Sequence, residues 1–302
     1  MNPSDITILA ETHDQCGEGP LWDARRNCLY WVDIITERLH IYNWQSRAIQ
    51  MLVPGVPTSA LALTEDGQVV IAGAKGVWLW TENEGALAIA TSHEGKTLAI
   101  NDAIADPAGR LLAGSTFFDG TSNYPRGNLY VIERDGGARV LDSGFGLANG
   151  LGFTGDGRTL YFTDSVDRVI YAYDYDAGQG QVGRRRVFVQ VPATEGIPDG
   201  LTVDAEGFVW SAQWFGACIC RYDPDGKLER RIAVPAEQTS SLAFGGPDMT
   251  DIFITTAATP DALVLAPPGY AQKTNVGGQL FHLNLGIPGQ PEHYCRISRV
   301  DH

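Results

Sequence analysis

Basic residues are scarce in this chain: 22 Lys and Arg stand against 36 Asp and Glu in 302 residues, a formal net charge of −14 at pH 7. A nucleic-acid backbone or an anionic membrane binds a basic face, so neither is expected as a partner. Long apolar runs are missing too, and nothing approaches the roughly 18–20 apolar residues of a membrane span. The first residues, MNPSDITILAETHDQ, lack the basic stretch and apolar run of a secretory signal. No segment carries the apolar period of an amphipathic helix, which argues against a parallel sheet with helical crossovers. The five cysteines, Cys16, Cys28, Cys218, Cys220 and Cys295, are odd in number and do not make a complete disulfide framework. Reduced thiols in a cytoplasm are the expectation. Cys218 and Cys220 share a strand face with no second Cys/His pair at zinc spacing, and read as packing.

The familiar catalytic signatures are also absent: no P-loop, no G-x-S-x-G and no H-E-x-x-H. Gly150, Gly152 and Gly155 match the spacing of a dinucleotide fingerprint, but they lead into an Asp-Gly turn and a strand instead of a helix. The six histidines are scattered without metal-ligand spacing, and the run Arg184 to Arg186 reads as a solvated turn.

What the chain does have is glycine, 35 residues of it, with 16 prolines and plentiful strand-favouring aromatic and β-branched residues. These are arranged in a divergent repeat. Six segments share one order: a polar leading residue, an apolar strand, a turn, then an aromatic-rich strand. Their leading residues are Glu18, Ser59, Asn101, Asn149, Asp199 and Ser240, at intervals of 41, 42, 48, 50 and 41. Turns such as TEDGQ (64–68), DPAGR (106–110) and DAEGF (204–208) suit hairpins, because Gly accepts positive φ. A period of 40–50 residues with about four strands per unit predicts a six-bladed β-propeller forming one domain over 1–302. The stretch 6–12 is left over as an extra strand able to complete the last blade.

In a propeller the first strand of each blade lines the central channel, so the six leading residues face one mouth at similar heights. All six carry side-chain oxygen. Any one of them alone is an ordinary turn former. Repeating in phase, two carboxylates and two carboxamides converging on an axis call for a positive charge between them, and a divalent cation meets that need. Oxygen ligands alone admit Ca²⁺, Mn²⁺, Zn²⁺ or Fe²⁺.

Gly-Glu-Gly-Pro-x-Trp (17–22), Asn-Asp-x-x-x-Asp-Pro-x-Gly (101–109), Asn-Gly-Leu (149–151) and Ile-Pro-Asp-Gly-Leu-x-Val-Asp-x-Glu-Gly (197–207) together resemble the SMP-30/gluconolactonase/LRE family. The resemblance covers nearly the whole chain. It implies a metal-dependent hydrolase that opens the lactone ring of a sugar acid, with Glu18, Asn149 and Asp199 as metal ligands. It also implies that Asp199 is general base toward a metal-activated water, and that Asn101 and Asp119 bind substrate. Animal members carry Arg-x-Asn-Asp where this chain has Ala99-Ile-Asn101-Asp102, so an arginine that contacts sugar hydroxyls is missing. A pentonolactone, a deoxy-sugar lactone or another modified lactone is open in place of gluconolactone. Two rival readings are a non-catalytic metal-binding propeller and a metal-dependent esterase of phosphotriesterase type, for which Phe117, Phe118 and Trp214 would furnish an apolar mouth.

Overall fold

The inner hairpin turns are built by side chains that catch the backbone as it reverses. The computed structural model describes residues 6–121, 124–259, 262–271 and 277–297. Within it, Asp106 Oδ1 accepts the backbone N–H groups of Ala108 and Arg110 at 2.9 and 2.8 Å. Asp204 Oδ1 does the same for Glu206 and Phe208, both at 3.0 Å. A glycine near the end of each turn takes positive φ, 88° at Gly109 and 83° at Gly207, where a side chain would be strained. Each turn delivers two antiparallel strands, and repetition gives four-stranded sheets.

Six such blades follow in chain order. Their innermost strands are Gly17–Asp23, Ala60–Thr64, Ile100–Ala105, Ala148–Phe153, Ile197–Val203 and Thr239–Gly245. The sixth blade runs Thr239–Gly245, Asp251–Thr256, Leu280–Asn284, and its outermost strand is the N-terminal Thr7–Ala10. The leftover strand therefore closes the ring as expected, with Thr7 opposite His282 and Ile8 opposite Phe281. Among the described residues the helical structure is a single 3₁₀ turn, Leu263–Leu265.

The core is divided among the seams between neighbouring blades. Leu112, Phe145, Leu160 and Phe162 pack between the third and fourth blades, and Tyr161, Ile170, Leu201 and Val209 between the fourth and fifth. At the closing seam Trp22 of the first blade stacks on Phe253 of the sixth, ring centroids 5.7 Å apart. Each fully buried large side chain contributes about 1.5–3 kcal/mol, so blade order is held by apolar burial without any central core. Cys28, Cys218, Cys220 and Cys295 are buried in this packing as free thiols. Arg184–Arg186 departs from the sequence reading. It lies within the outer strand Gln181–Gln190, where Arg186 pairs with Asp174 at 2.7 Å and Arg185 with Asp142 at 3.2 Å.

The C-terminal segment closes one end of the channel. Gly289 N donates to Met249 O, Gln290 Nε2 to Asp204 O, and Arg296 N to Gly109 O, so the segment is tied to three blades in turn. Tyr294–Cys295 then adds a parallel strand to Ala60–Thr64. This strap carries Glu292 and His293 into the channel, beside Asp102, Leu61, Leu151 and Leu201. The opposite mouth holds the leading residues.

Candidate active site

A register shift falls at the leading residue of five inner strands: between Glu18 and Leu21, Ile100 and Asp102, Ala148 and Leu151, Pro198 and Leu201, and Thr239 and Ser241. A bulge there re-aims the side chain out of the pleat and into the channel mouth. Three of these residues are followed by glycine: Gly19 takes a φ of 54°, and Gly150 and Gly200 lie where a side chain would clash. A Cβ on Gly150 would lie 2.3 Å from the Leu201 backbone N, and one on Gly200 would lie 2.0 Å from Ser241 Oγ. At these two positions the neighbouring inner strand comes so close that only glycine fits.

The mouth brings together Glu18, Asn101, Asn149 and Asp199 at the floor of a cavity of about 190 Å³. The two serines of the ring do not line it. Ser59 Oγ donates to Ala72 O and Ile100 O at 3.2 and 3.0 Å, and Ser240 Oγ donates to Gly17 O at 2.5 Å. Both latch one blade to the next. The sequence reading of six convergent oxygens is thus corrected to four, because a short hydroxyl reaches the neighbouring carbonyl before it reaches the axis.

Hydrogen bonds fix which way the amides point. Asn149 Nδ2 donates to Ser165 Oγ at 2.8 Å, and Ser165 Oγ donates to Pro198 O at 2.6 Å, so the Asn149 carbonyl oxygen is turned inward. Asn101 Nδ2 donates to that oxygen at 2.6 Å and to Ala148 O at 2.8 Å. Asn101 therefore orients Asn149 as well as facing the cavity. Asp199 is 6 % exposed, and its Oδ1 has no hydrogen-bond partner. Glu18 Oε2 accepts the Gly19 N–H at 3.0 Å.

The charges are crowded. Burial, then repulsion from Glu18 and Asp102, pushes the Asp199 carboxyl well above its ordinary range. Burial and Asp102 push Glu18 up to about 8, and burial lifts Asp102 to about 7. Glu292, raised to about 7 by burial and then by Asp102, brings a further acid from the strap. Sequence reasoning missed Asp102 and Glu292. Asp102 adjoins a leading residue and could have been found from the repeat, whereas Glu292 sits in a Pro- and Gly-rich stretch with no periodic signal.

A divalent cation fits this floor. Asp199 Oδ1 is a buried acceptor with nothing to accept, the Asn149 oxygen is held inward, and the carboxylates repel one another. Among the described residues no three His, Cys, Asp or Glu side chains gather at one metal-holding point. The donor set is instead two carboxylates and an amide carbonyl.

The walls above the floor are apolar. Ile34, Ile35, Phe118, Leu147, Ile197 and Trp214 surround the cavity. Phe118 is set by Tyr124, edge-on at 5.1 Å, and by its N–H donated to Thr116 Oγ1 at 3.1 Å. Asp119 is exposed, and its Oδ1 accepts the Thr121 N–H and hydroxyl at 2.9 and 2.6 Å. It is not among the residues that line the cavity. Cys16, read only as a reduced thiol, lines the mouth.

A six-bladed propeller with a one-ended channel and an oxygen-donor floor is the architecture of a small-molecule site, with Glu18, Asn149 and Asp199 contributed by separate blades. Residues 16–258 match the SMP-30/Gluconolactonase/LRE-like region, and the chain belongs to that family. It is 36% identical over 292 residues to pentonolactonase XacC of Haloferax volcanii, covering 95% of this chain and 97% of the relative. It is 31% identical over 300 residues to regucalcin of Sus scrofa, covering 97% and 99%. Among solved structures it resembles the calcium-binding protein regucalcin of Agrobacterium tumefaciens, with a TM-score of 0.84 at 28% identity, covering 95% of this chain and 96% of that one.

Proposed function

We propose that this protein hydrolyses the lactone of a sugar acid with the help of one divalent metal ion. The observation that carries the reading is the convergence of Glu18, Asn149 and Asp199 on one cavity, with Asp199 Oδ1 buried and unpartnered. The names of the relatives, pentonolactonase above all, support the substrate class. The Glu18 and Asp199 carboxylates and the Asn149 carbonyl oxygen would hold the ion, which supplies Lewis-acid polarisation of the lactone carbonyl. Ca²⁺, Mn²⁺, Zn²⁺ and Fe²⁺ all suit such oxygen donors.

The chain's own residues do the rest. Asp199 Oδ1, free of any protein donor, takes a proton from the attacking water as its oxygen adds to the carbonyl carbon. The same oxygen returns the proton to the ring oxygen as the C–O bond of the ring breaks, giving the open hydroxy acid. Asn101 keeps the Asn149 oxygen in place through its 2.6 Å hydrogen bond and offers its own carbonyl oxygen to a substrate hydroxyl. Asp119, on the loop beside Phe118, would meet substrate only at the rim. The apolar walls exclude bulk water from the floor and strengthen electrostatics there.

The test is a pH-indicator assay on a panel of sugar lactones and aryl esters, with metal stripped by chelator and then restored. Metal-dependent acid release from lactones supports the reading. Full activity after stripping would remove the metal from it, hydrolysis of aryl esters alone would move the assignment to an esterase, and no hydrolysis at all would leave a binding propeller.

A further inference from the structure

We propose that the lactone taken by this site is that of a 6-deoxy sugar acid, its terminal methyl group seated on the apolar wall. This rests on the lactonase reading above and narrows it. Polar atoms in the cavity are concentrated at the floor, on Glu18, Asn101, Asn149 and Asp199, where the lactone carbonyl and the hydroxyl beside it would lie. Above them, any substituent projecting from the ring meets Ile34 and Ile35 on the first blade, Phe118 and Leu147 on the third-blade side, or Ile197 and Trp214 on the fifth.

Among the described residues, three donors near the cavity are engaged elsewhere. The Asn101 amide N–H groups go to Ala148 O and Asn149 Oδ1. Arg126 pairs with Asp167 at 3.0 Å, and Arg168 donates to the carbonyls of Glu195, Gly196 and Leu265 at 3.0, 3.1 and 2.7 Å. Ile35, which lines the cavity, is 53% exposed, so the apolar wall runs out to the surface on the first blade. A hydroxyl pressed against the side chains of Ile34, Ile35, Phe118, Leu147 or Ile197 loses water and gains no hydrogen bond from them, whereas a methyl group there is buried favourably. One hydroxyl mismatched in this way lowers kcat/KM about tenfold or more.

The experiment measures kcat/KM of the metal-loaded enzyme on two matched pairs, L-rhamnonolactone against L-mannonolactone and L-fuconolactone against L-galactonolactone. The members of each pair differ only in the terminal hydroxyl. The deoxy member is expected to win by about tenfold or more in the pair whose stereochemistry the floor accepts. Ile35→Asn, at a side chain 53% exposed and therefore tolerant of change, is expected to shrink that ratio by raising turnover of the hydroxylated member. Equal or better use of the hydroxylated member in both pairs, or an unchanged ratio in Ile35→Asn, would overturn the proposal. A pentonolactone used better than either deoxy lactone would overturn it while the lactonase reading stands. If no lactone is hydrolysed, both fail together.

Discussion

Asp199 is asked to be ligand and base at once, and substitution can separate the two. Asp199→Asn keeps an oxygen for the ion but cannot accept a proton. It should retain metal by titration calorimetry while turnover falls about 10²–10⁴-fold. Near-normal turnover in that variant would leave Asp199 as ligand only. Asp199→Ala should lose both, with excess metal restoring only part. Asn101 is less simple than the sequence suggested, because its amide holds the Asn149 oxygen at 2.6 Å. Asn101→Ala should therefore weaken metal affinity as well as raise KM; a pure KM effect would show that the hydrogen bond does nothing for Asn149.

The inner strand is the element that makes a site from a repeat. Its bulge turns the leading side chain toward the axis, and after Asn149 and Asp199 a glycine lets the next blade approach. Gly200→Ala puts a Cβ 2.0 Å from Ser241 Oγ and 2.7 Å from Ser241 Cα, and overpacking of this kind typically costs about 1–3 kcal/mol. A lowered midpoint in denaturant at unchanged slope is expected. Gly150→Ala should be worse, because its nearest contacts are the backbone of residues 199–201, which cannot swing away as a side chain can. If Gly150→Ala proved harmless, the inner strands would not be as close in solution as they are here.

Across the whole molecule, the strap at the far end gives the channel a floor of its own and adds Glu292 to the acids above it. The folded protein holds the Glu292 proton up to about pH 7, whereas the unfolded chain releases it near the ordinary value of 4.5. Unfolding therefore releases a proton between those values. The stabilisation from this group is fully present below pH 4.5 and is lost as pH rises through 7. Glu18, with a value of about 8, and Asp102, with about 7, slope the same way when no cation is bound. The Tm of metal-stripped protein should fall from about pH 5 to pH 8, and Glu292→Gln should flatten that fall. Parallel curves for the two proteins would mean that Glu292 does not titrate inside the channel.

By itself the sequence determined the blade count, the turns and the closing strand. These are local patterns of Asp, Gly and alternating apolar residues, repeated every 41–50 positions, and they need no knowledge of what lies opposite. It also placed Glu18, Asn101, Asn149 and Asp199 in phase, which is why they share one cavity. Only the tertiary structure decided that Ser59 and Ser240 latch blades, that Asn101 orients Asn149, and that Glu292 enters the channel from a segment without periodicity. Phe118 and Trp214 were legible as apolar residues of the mouth, but the structure decided that Ile34, Ile35, Leu147 and Ile197 join them in the wall and that Phe117 does not line it. Those facts are pairings between residues tens to hundreds of positions apart, and such pairings exist only once the ring has closed.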